Sequence, residues 1–271
     1  MRASRNPAVW RAGGAVVAIR RPAQRRALEH PGRAFLPVPT ASAPPIDLQR
    51  DAVRRLERAG YRAAWTNETV GGKDALVQLA VLMAATERMV FGTGIANIWA
   101  RSAQTMHGGA ALLAQAYPGR FVLGLSVGYP PQAASVGREF GRPLATMRDY
   151  LDRMGAPTQL PAPEVAYPRI TGVNGPKMLA LAGEIADGAL PASQPPEFTG
   201  QARQVLGPDK LLVIFMHAST EQGDASAITA KVREHVAAGA DHVMVGLPIG
   251  TDFTVGVDCL EQLAPALVEL P

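Results

Sequence analysis

The chain has 271 residues, 47% of them hydrophobic, with a formal net charge of +4 and one cysteine. That length builds one large domain or two small ones, a single α/β barrel included, and no apolar run approaches the roughly 20 residues of a transmembrane helix. The lone Cys259 excludes an internal disulfide framework and a clustered cysteine metal site, which fits a reducing, cytoplasmic setting.

The charge is unevenly placed. Residues 1–62 hold thirteen arginines against four acids, a surplus of nine, so the rest of the chain carries a deficit of five. The first 45 residues are rich in Arg, Pro and Ala and show no sustained periodicity, and they read as an N-terminal extension containing at most one strand, such as AVVAI. A transit-like leader or an anion-binding arm would have the same composition. Only two aromatic residues, Trp10 and Phe35, stand among the arginines of this stretch, and neither nucleic acid nor membrane is an expected partner.

From Asp47 the chain alternates. DLQRDAVRRLERAG has helical spacing and stops at Gly60; RAAWTNE is a short strand; Asp74 caps the helix ALVQLAVLMAAT before the strand VFGTGI. The helix AQTMHGGAALLAQAY ends at Pro118-Gly119, and the strand FVLGLSVG follows. Helix PLATMRDYLDRM, strand RITGV, helix GPKMLALAGEIA, strand GALP, helix EFTGQARQVL and strand LLVIFMHA come next. The chain closes with helix AITAKVREHVAAG, strand DHVMVGL and a terminal helix that holds Cys259 as a packing residue. Seven strands after residue 60, each separated by a helix, predict parallel pairing and a (β/α)8 barrel over residues 46–271, with the eighth strand coming from residues 1–45. A doubly wound open sheet is the alternative, weakened because no GxGxxG opens the first helix.

In such a barrel the chemistry belongs at the C-terminal strand ends. Those ends are rich in small residues: Gly92 and Gly94 in VFGTGIAN, Gly128 after FVLGLSV, and GVNGPK at Gly172 to Lys177. Recurrent glycine would let a large flat ligand lie close to the backbone, although any single one of these glycines reads equally as a turn. GVNGPK exposes backbone N–H groups at a helix start, with Pro176 at the first helical position, and is suited to a phosphate that Lys177 would assist. Glu68, just past a strand end, suits an acid, a base or a hydrogen-bond acceptor, or else a salt bridge across the barrel mouth. His217 closes an apolar strand and is a site candidate without an identifiable partner, whereas His107, His235 and His242 read as packing residues. No metal-ligand spacing and no GxSxG elbow occur.

The motifs AAWTNE, ATERMVFGTGIANIWARSAQTM, AQAYPGRFVLGLSVG and GPKMLALAGEIADG, together with REHVAAGADHVMV, resemble the luciferase-like monooxygenase superfamily, and within it the oxidoreductases that use the deazaflavin coenzyme F-420. The resemblance implies a TIM barrel that holds a flavin or deazaflavin at the strand ends and transfers hydride at its central ring. It places a non-prolyl cis peptide at Gly94-Ile95, supporting the ring from behind. Cofactor contacts are implied at Trp65, Gly94, Ile95, Asn97, Gly128, Gly172, Asn174, Gly175 and Lys177, and a catalytic position near the reacting carbon at Glu68. By the same resemblance the protein is expected to be a homodimer that acts on a small organic substrate.

Three departures accompany the match. Tyr129 stands where several relatives carry an acid or a histidine, only Ser219 to Ser226 connect the strand LLVIFMHA to the next helix where relatives insert a long covering segment, and the first strand is unrecognisable. The expected function is therefore an oxidoreductase using F-420, or FMN as the alternative coenzyme. A non-catalytic barrel that binds the same ligands is the competing reading.

Overall fold

The computed structural model describes residues 9–12, 15–18, 33–218 and 225–268. Most of the arginine-rich extension, and residues 219–224 of the short connection, lie outside these.

Strands β1 (Val9–Ala12) and β2 (Ala15–Ala18) pair antiparallel in a sheet of their own. AVVAI thus holds a strand, but not one of the barrel. The barrel begins with β3 (Arg33–Phe35) and α1 (Ile46–Arg58), followed by β4 (Ala63–Thr66), α2 (Ala75–Met83), β5 (Val90–Thr93), β6 (Ala96–Asn97) and α3 (Ala103–Ala116). Next come β7 (Phe121–Ser126), α4 (Pro130–Ala134), α5 (Pro143–Met154), β8 (Arg169–Val173), α6 (Pro176–Ile185) and β9 (Gly188–Pro191). The last elements are α7 (Pro196–Leu206), β10 (Leu211–His217), α8 (Ala225–Ala237), β11 (His242–Gly246) and α9 (Phe253–Val268).

All barrel pairings are parallel, and the ring closes where Val245 of β11 pairs with Ala34 of β3. Counting β5 and β6 as one interrupted strand, this is a closed (β/α)8 TIM barrel rather than an open sheet. The seven strands read after residue 60 are all present. The eighth, β3, is three residues long and sits among prolines, too short for any periodicity to show.

Strand alternation divides the core in two. In β4, Ala63 and Trp65 point into the barrel with Phe35, Val90, Val122, Ile170, Leu190, Val213 and Met244, while Ala64 joins the larger layer between sheet and helices. Trp65 fills the interior: it is wholly buried, and its indole N–H donates to Nε2 of the buried His242 over 2.6 Å. Gly92 exists for that indole. A Cβ at Gly92 would lie 2.2–2.7 Å from three carbons of the six-membered ring of Trp65. A Cβ at Gly94 would touch Phe35 at 3.1 Å. The glycines of VFGTG therefore admit interior aromatic side chains of the protein itself, which corrects the reading of Gly92 as a bare place for a ligand.

Gly92→Ala should lower stability by about 1–3 kcal/mol, the usual range for overpacking a filled core. Combined with Trp65→Leu, the two losses should be clearly less than additive in urea denaturation. Additive losses would show that the glycine and the indole do not share one space.

Candidate functional site at the barrel mouth

The C-terminal strand ends meet at a mouth whose least regular part is the break between β5 and β6, where the Gly94-Ile95 peptide is cis. This bulge is tied down by Glu68, just past β4. The Glu68 backbone N–H donates to the carbonyl of Ile95 (3.1 Å), and the Asn97 N–H donates to Glu68 Oε2 (2.8 Å). Its Oε1 accepts from the N–H of Ala75, the first residue of α2 (3.1 Å), and from the guanidinium of Arg101, which also reaches Asp74 Oδ2 at 2.7 Å. Asp74 caps α2, accepting from Val77 N at 3.0 Å. Burial opposes the charge on Arg101, but the carboxylates of Glu68 and Asp74 outweigh it and hold the guanidinium pKa above its ordinary value.

Glu68 therefore has a different part from the acid or base expected of it. Its side chain is 1% exposed and both oxygens are engaged, so it is a clamp and offers no proton to a ligand in this arrangement. Beside it, Lys73 Nζ donates to Thr66 Oγ1 and Asn67 Oδ1, both at 2.9 Å, and burial pulls its pKa down to about 8 against the opposing charge of Glu68.

Two expected ligand contacts are likewise interior groups. Trp65 has no exposed surface. Asn97 is 3% exposed and uses Oδ1 to accept from Trp99 N at 3.0 Å, shaping the turn after β6. Gly128 has φ +57°, and its Cβ position is blocked by Gln132 Oε1 at 2.1 Å and Asn97 Nδ2 at 2.6 Å. Its absent side chain thus makes room for two protein groups rather than for a ligand tail.

The remaining expected residues do reach the mouth. Gly94, Ile95, Gly172 and Gly175 are half-buried, and Asn174 and Lys177 are exposed. Gly172 abuts Ser126, with its Cβ position 3.1 Å from Ser126 Cβ. Around Gly175 the Cβ position meets nothing within 4 Å, and the N-terminus of α6 has no side-chain cap. The first backbone N–H groups of the helix, those of Lys177 and Met178, thus have no side-chain cap at the positive end of the helix dipole, an arrangement suited to an anionic group.

The apolar part of the mouth comes from Ile95, Val38 and Phe215, which pack half-buried on the barrel interior. Phe215 stands edge-on to Phe35 at 4.9 Å and to His217 at 4.7 Å, and its ring fills the space that a Cβ at Gly246 would take. His217 is exposed at the end of β10, and its side chain has no hydrogen-bond partner among the described residues. Tyr129 turns its side chain to solvent at the start of α4 and is 63% exposed. Of the other histidines, His107 bonds Tyr167 OH through Nδ1 (2.7 Å) and His235 bonds Thr199 Oγ1 (2.9 Å), as expected of packing residues. Among the described residues no cluster of His, Cys, Asp and Glu is arranged to hold a metal ion, and no helix is long and apolar enough to cross a membrane.

Arg101, Lys73 and Phe215 were not legible as site-shaping residues. Arg101 did leave a signal: it is the single Asp, Glu, Lys or Arg between Met89 and Gly119, and an isolated charge in an apolar stretch needs a partner.

A closed parallel barrel with an uncapped helix start and an apolar floor on one rim is a TIM barrel, the class whose functional sites lie at the strand ends. The sequence model of the luciferase-like monooxygenase family matches residues 28–206, well over half of the chain, and the protein belongs to that family. A 5,10-methylenetetrahydromethanopterin reductase of Methanolobus tindarius is 28% identical over 169 residues, covering 55% of this chain and 51% of the reductase. A putative coenzyme F-420-dependent oxidoreductase of Mycobacterium tuberculosis is 29% identical over 196 residues, covering 60% of this chain and 56% of the relative. The chain thus spans about half the length of these curated relatives. Among solved structures, an F-420-dependent secondary alcohol dehydrogenase in complex with an F-420–acetone adduct superposes with a TM-score of 0.70 at 13% identity, over 88% of this chain and 99% of that one, which shows the shared fold.

Glu68→Gln should destabilise the protein by about 1–3 kcal/mol, because charge-assisted hydrogen bonds from Arg101, Ala75 and Asn97 would be weakened or lost while Asp74 still pairs with Arg101. Chemical denaturation reads this directly. A near-neutral change would refute the clamp.

Proposed function

We propose that the protein is an oxidoreductase that holds the deazaflavin coenzyme F-420 at the barrel mouth and exchanges hydride between it and a small organic substrate. The observation that carries this reading is the meeting, on one rim, of an apolar floor built on the clamped bulge and an uncapped helix N-terminus with open space before it. The names of the relatives point the same way.

The residues present fit such a coenzyme. Ile95 on the bulge, with Val38 and Phe215, would lie against a planar ring system. Gly172, Asn174 and Gly175 would let an anionic group approach the backbone N–H groups at the start of α6, with Lys177 adding charge. When bound there, a deazaflavin supplies a carbon that accepts or donates hydride. The accompanying proton falls to His217, whose imidazole is exposed at the rim without a hydrogen-bond partner among the described residues and stands edge-on to Phe215. Clamping Glu68 in its ion pair leaves no second carboxylate in that part.

Titration with F-420, followed by fluorescence, should show saturable binding at micromolar coenzyme. Gly175→Asp should weaken it at least about tenfold, since a new carboxylate would repel the anionic group at a position where backbone and space tolerate a side chain. Saturable binding of FMN in place of F-420 would reassign the coenzyme. Tight binding without turnover on a panel of carbonyls and alcohols would favour a non-catalytic barrel, and binding of neither coenzyme would remove the proposal.

We further infer that two copies associate through α2 and α3. Neither helix contains Asp, Glu, Lys or Arg, and Val77 and Leu112 stand 65% and 59% exposed on them, a surface that water alone covers poorly. Light scattering should report a dimer, and Val77→Glu with Leu112→Glu should give a folded monomer. A wild-type monomer at micromolar concentration would contradict this.

A further inference from the structure

Away from the mouth lies a cavity of about 620 Å³ between α3 and the segment that joins α5 to β8. His107 and Gly108 of α3, Met154 at the end of α5, and Val165 and Tyr167 of the joining segment form its walls, and Arg169, the first residue of β8, lies at its base. The first turn of α3 also borders it through Gln104 and Thr105, but none of Ile95, Val38, Phe215, Gly172 and Gly175 does, so this cavity is distinct from the seat described above. Its volume falls within the range of small-molecule sites.

Two features indicate that the space is kept open. Gly108 sits inside α3, where glycine weakens a helix relative to alanine, yet a Cβ there would meet nothing within 4 Å. The adjacent Gly109 has a packing reason, since its Cβ would lie 2.9 Å from Leu76 Cδ1; Gly108 has none and faces the cavity. The opposite wall, residues 156–168, contains four prolines, whose fixed φ angles and missing N–H groups make a stiff, mainly apolar surface.

The polar groups define the chemistry of the occupant. Arg169 is offset by Glu164 and Asp187, with Asp187 Oδ2 accepting from Arg169 N at 2.9 Å, so the walls hold no excess positive charge for an anion. His107 is half-buried, its Nδ1 is engaged by Tyr167 OH at 2.7 Å, and Nε2 has no partner among the described residues. Burial, and then the nearby charge of Arg169, lowers its pKa and keeps the imidazole neutral at pH 7. In either tautomer, Nε2 offers one hydrogen bond to a neutral oxygen group.

We propose that this cavity is a second small-molecule site, which takes an uncharged, mainly apolar ligand whose single hydroxyl or carbonyl oxygen is anchored by His107. It does not depend on which coenzyme occupies the mouth. The test uses 2-naphthol as the probe and 2-naphthoate as its charged counterpart, followed by NMR of the His107 Cε1–H signal, assigned with His107→Gln. The expected result is a saturable shift with 2-naphthol, at least tenfold weaker binding of 2-naphthoate, and loss of the shift in Gly108→Leu, which fills the cavity. Gly108→Ala serves as the variant certain to suit the helix and should be more heat-stable than the wild type while still binding. Absence of a saturable shift, an undiminished shift in Gly108→Leu, or tighter binding of 2-naphthoate would each overturn the proposal.

Discussion

The mouth of this barrel depends on one buried carboxylate. Glu68 joins four pieces of chain that are separate in sequence: the end of β4, the bulge between β5 and β6, the first turn of α2, and the loop carrying Arg101. Tyr150 extends the network to α5 by donating to the carbonyl of Arg101 at 3.0 Å. A buried ion pair contributes little net stability compared with apolar packing, because desolvation of both ions offsets their attraction. Its effect here is positional. With both oxygens engaged and its own N–H donating to the Ile95 carbonyl, Glu68 ties the bulge to α2 and to the Arg101 loop.

Below the clamp, the floor of the mouth is set by what fills the barrel. Trp65 is the largest wholly buried side chain among the described residues, and Gly92 on the neighbouring strand leaves room for it. With the interior filled to that level, Ile95, Val38 and Phe215 can only lie on top, half-covered by what is below and half-open above. Phe215 in turn leans over Gly246 and against Phe35. A surface built of such residues is flat and apolar because the layer underneath is close-packed, not because the rim has been stripped of side chains.

The fold was largely legible because its signal is repetitive. Strands such as LLVIF and HVMVG, buried on both faces, alternate with helices that have definite starts at Asp74 and Ser102, and the order of elements alone implies parallel closure. Strand β3 escaped because three residues cannot display a period. The site was legible at the level of the backbone and much less so for side chains. The start of α6 could be read from GVNGPK, since Pro and Gly act locally and in ways that do not depend on distant neighbours. The parts played by Trp65, Asn97 and Glu68 depend on contacts with His242, Gly128 and Arg101, which lie 31 to 177 positions away along the chain. Spacing along the chain contains no trace of such contacts.

The same distinction separates groups that shape a site from groups that act in it. A side chain that exchanges a proton with a ligand needs an open direction toward solvent or ligand and a lone pair or N–H not already committed. Glu68 fails both conditions, being sealed by Ala75, Asn97 and Arg101, however suggestive its place after β4. His217 meets both, with its ring braced on one side by Phe215 and exposed on the other. On the proposed reading, strand β4 therefore supplies the frame and strand β10 the proton-handling group, so that a change at Glu68 would act on the shape of the mouth and a change at His217 on the chemistry within it.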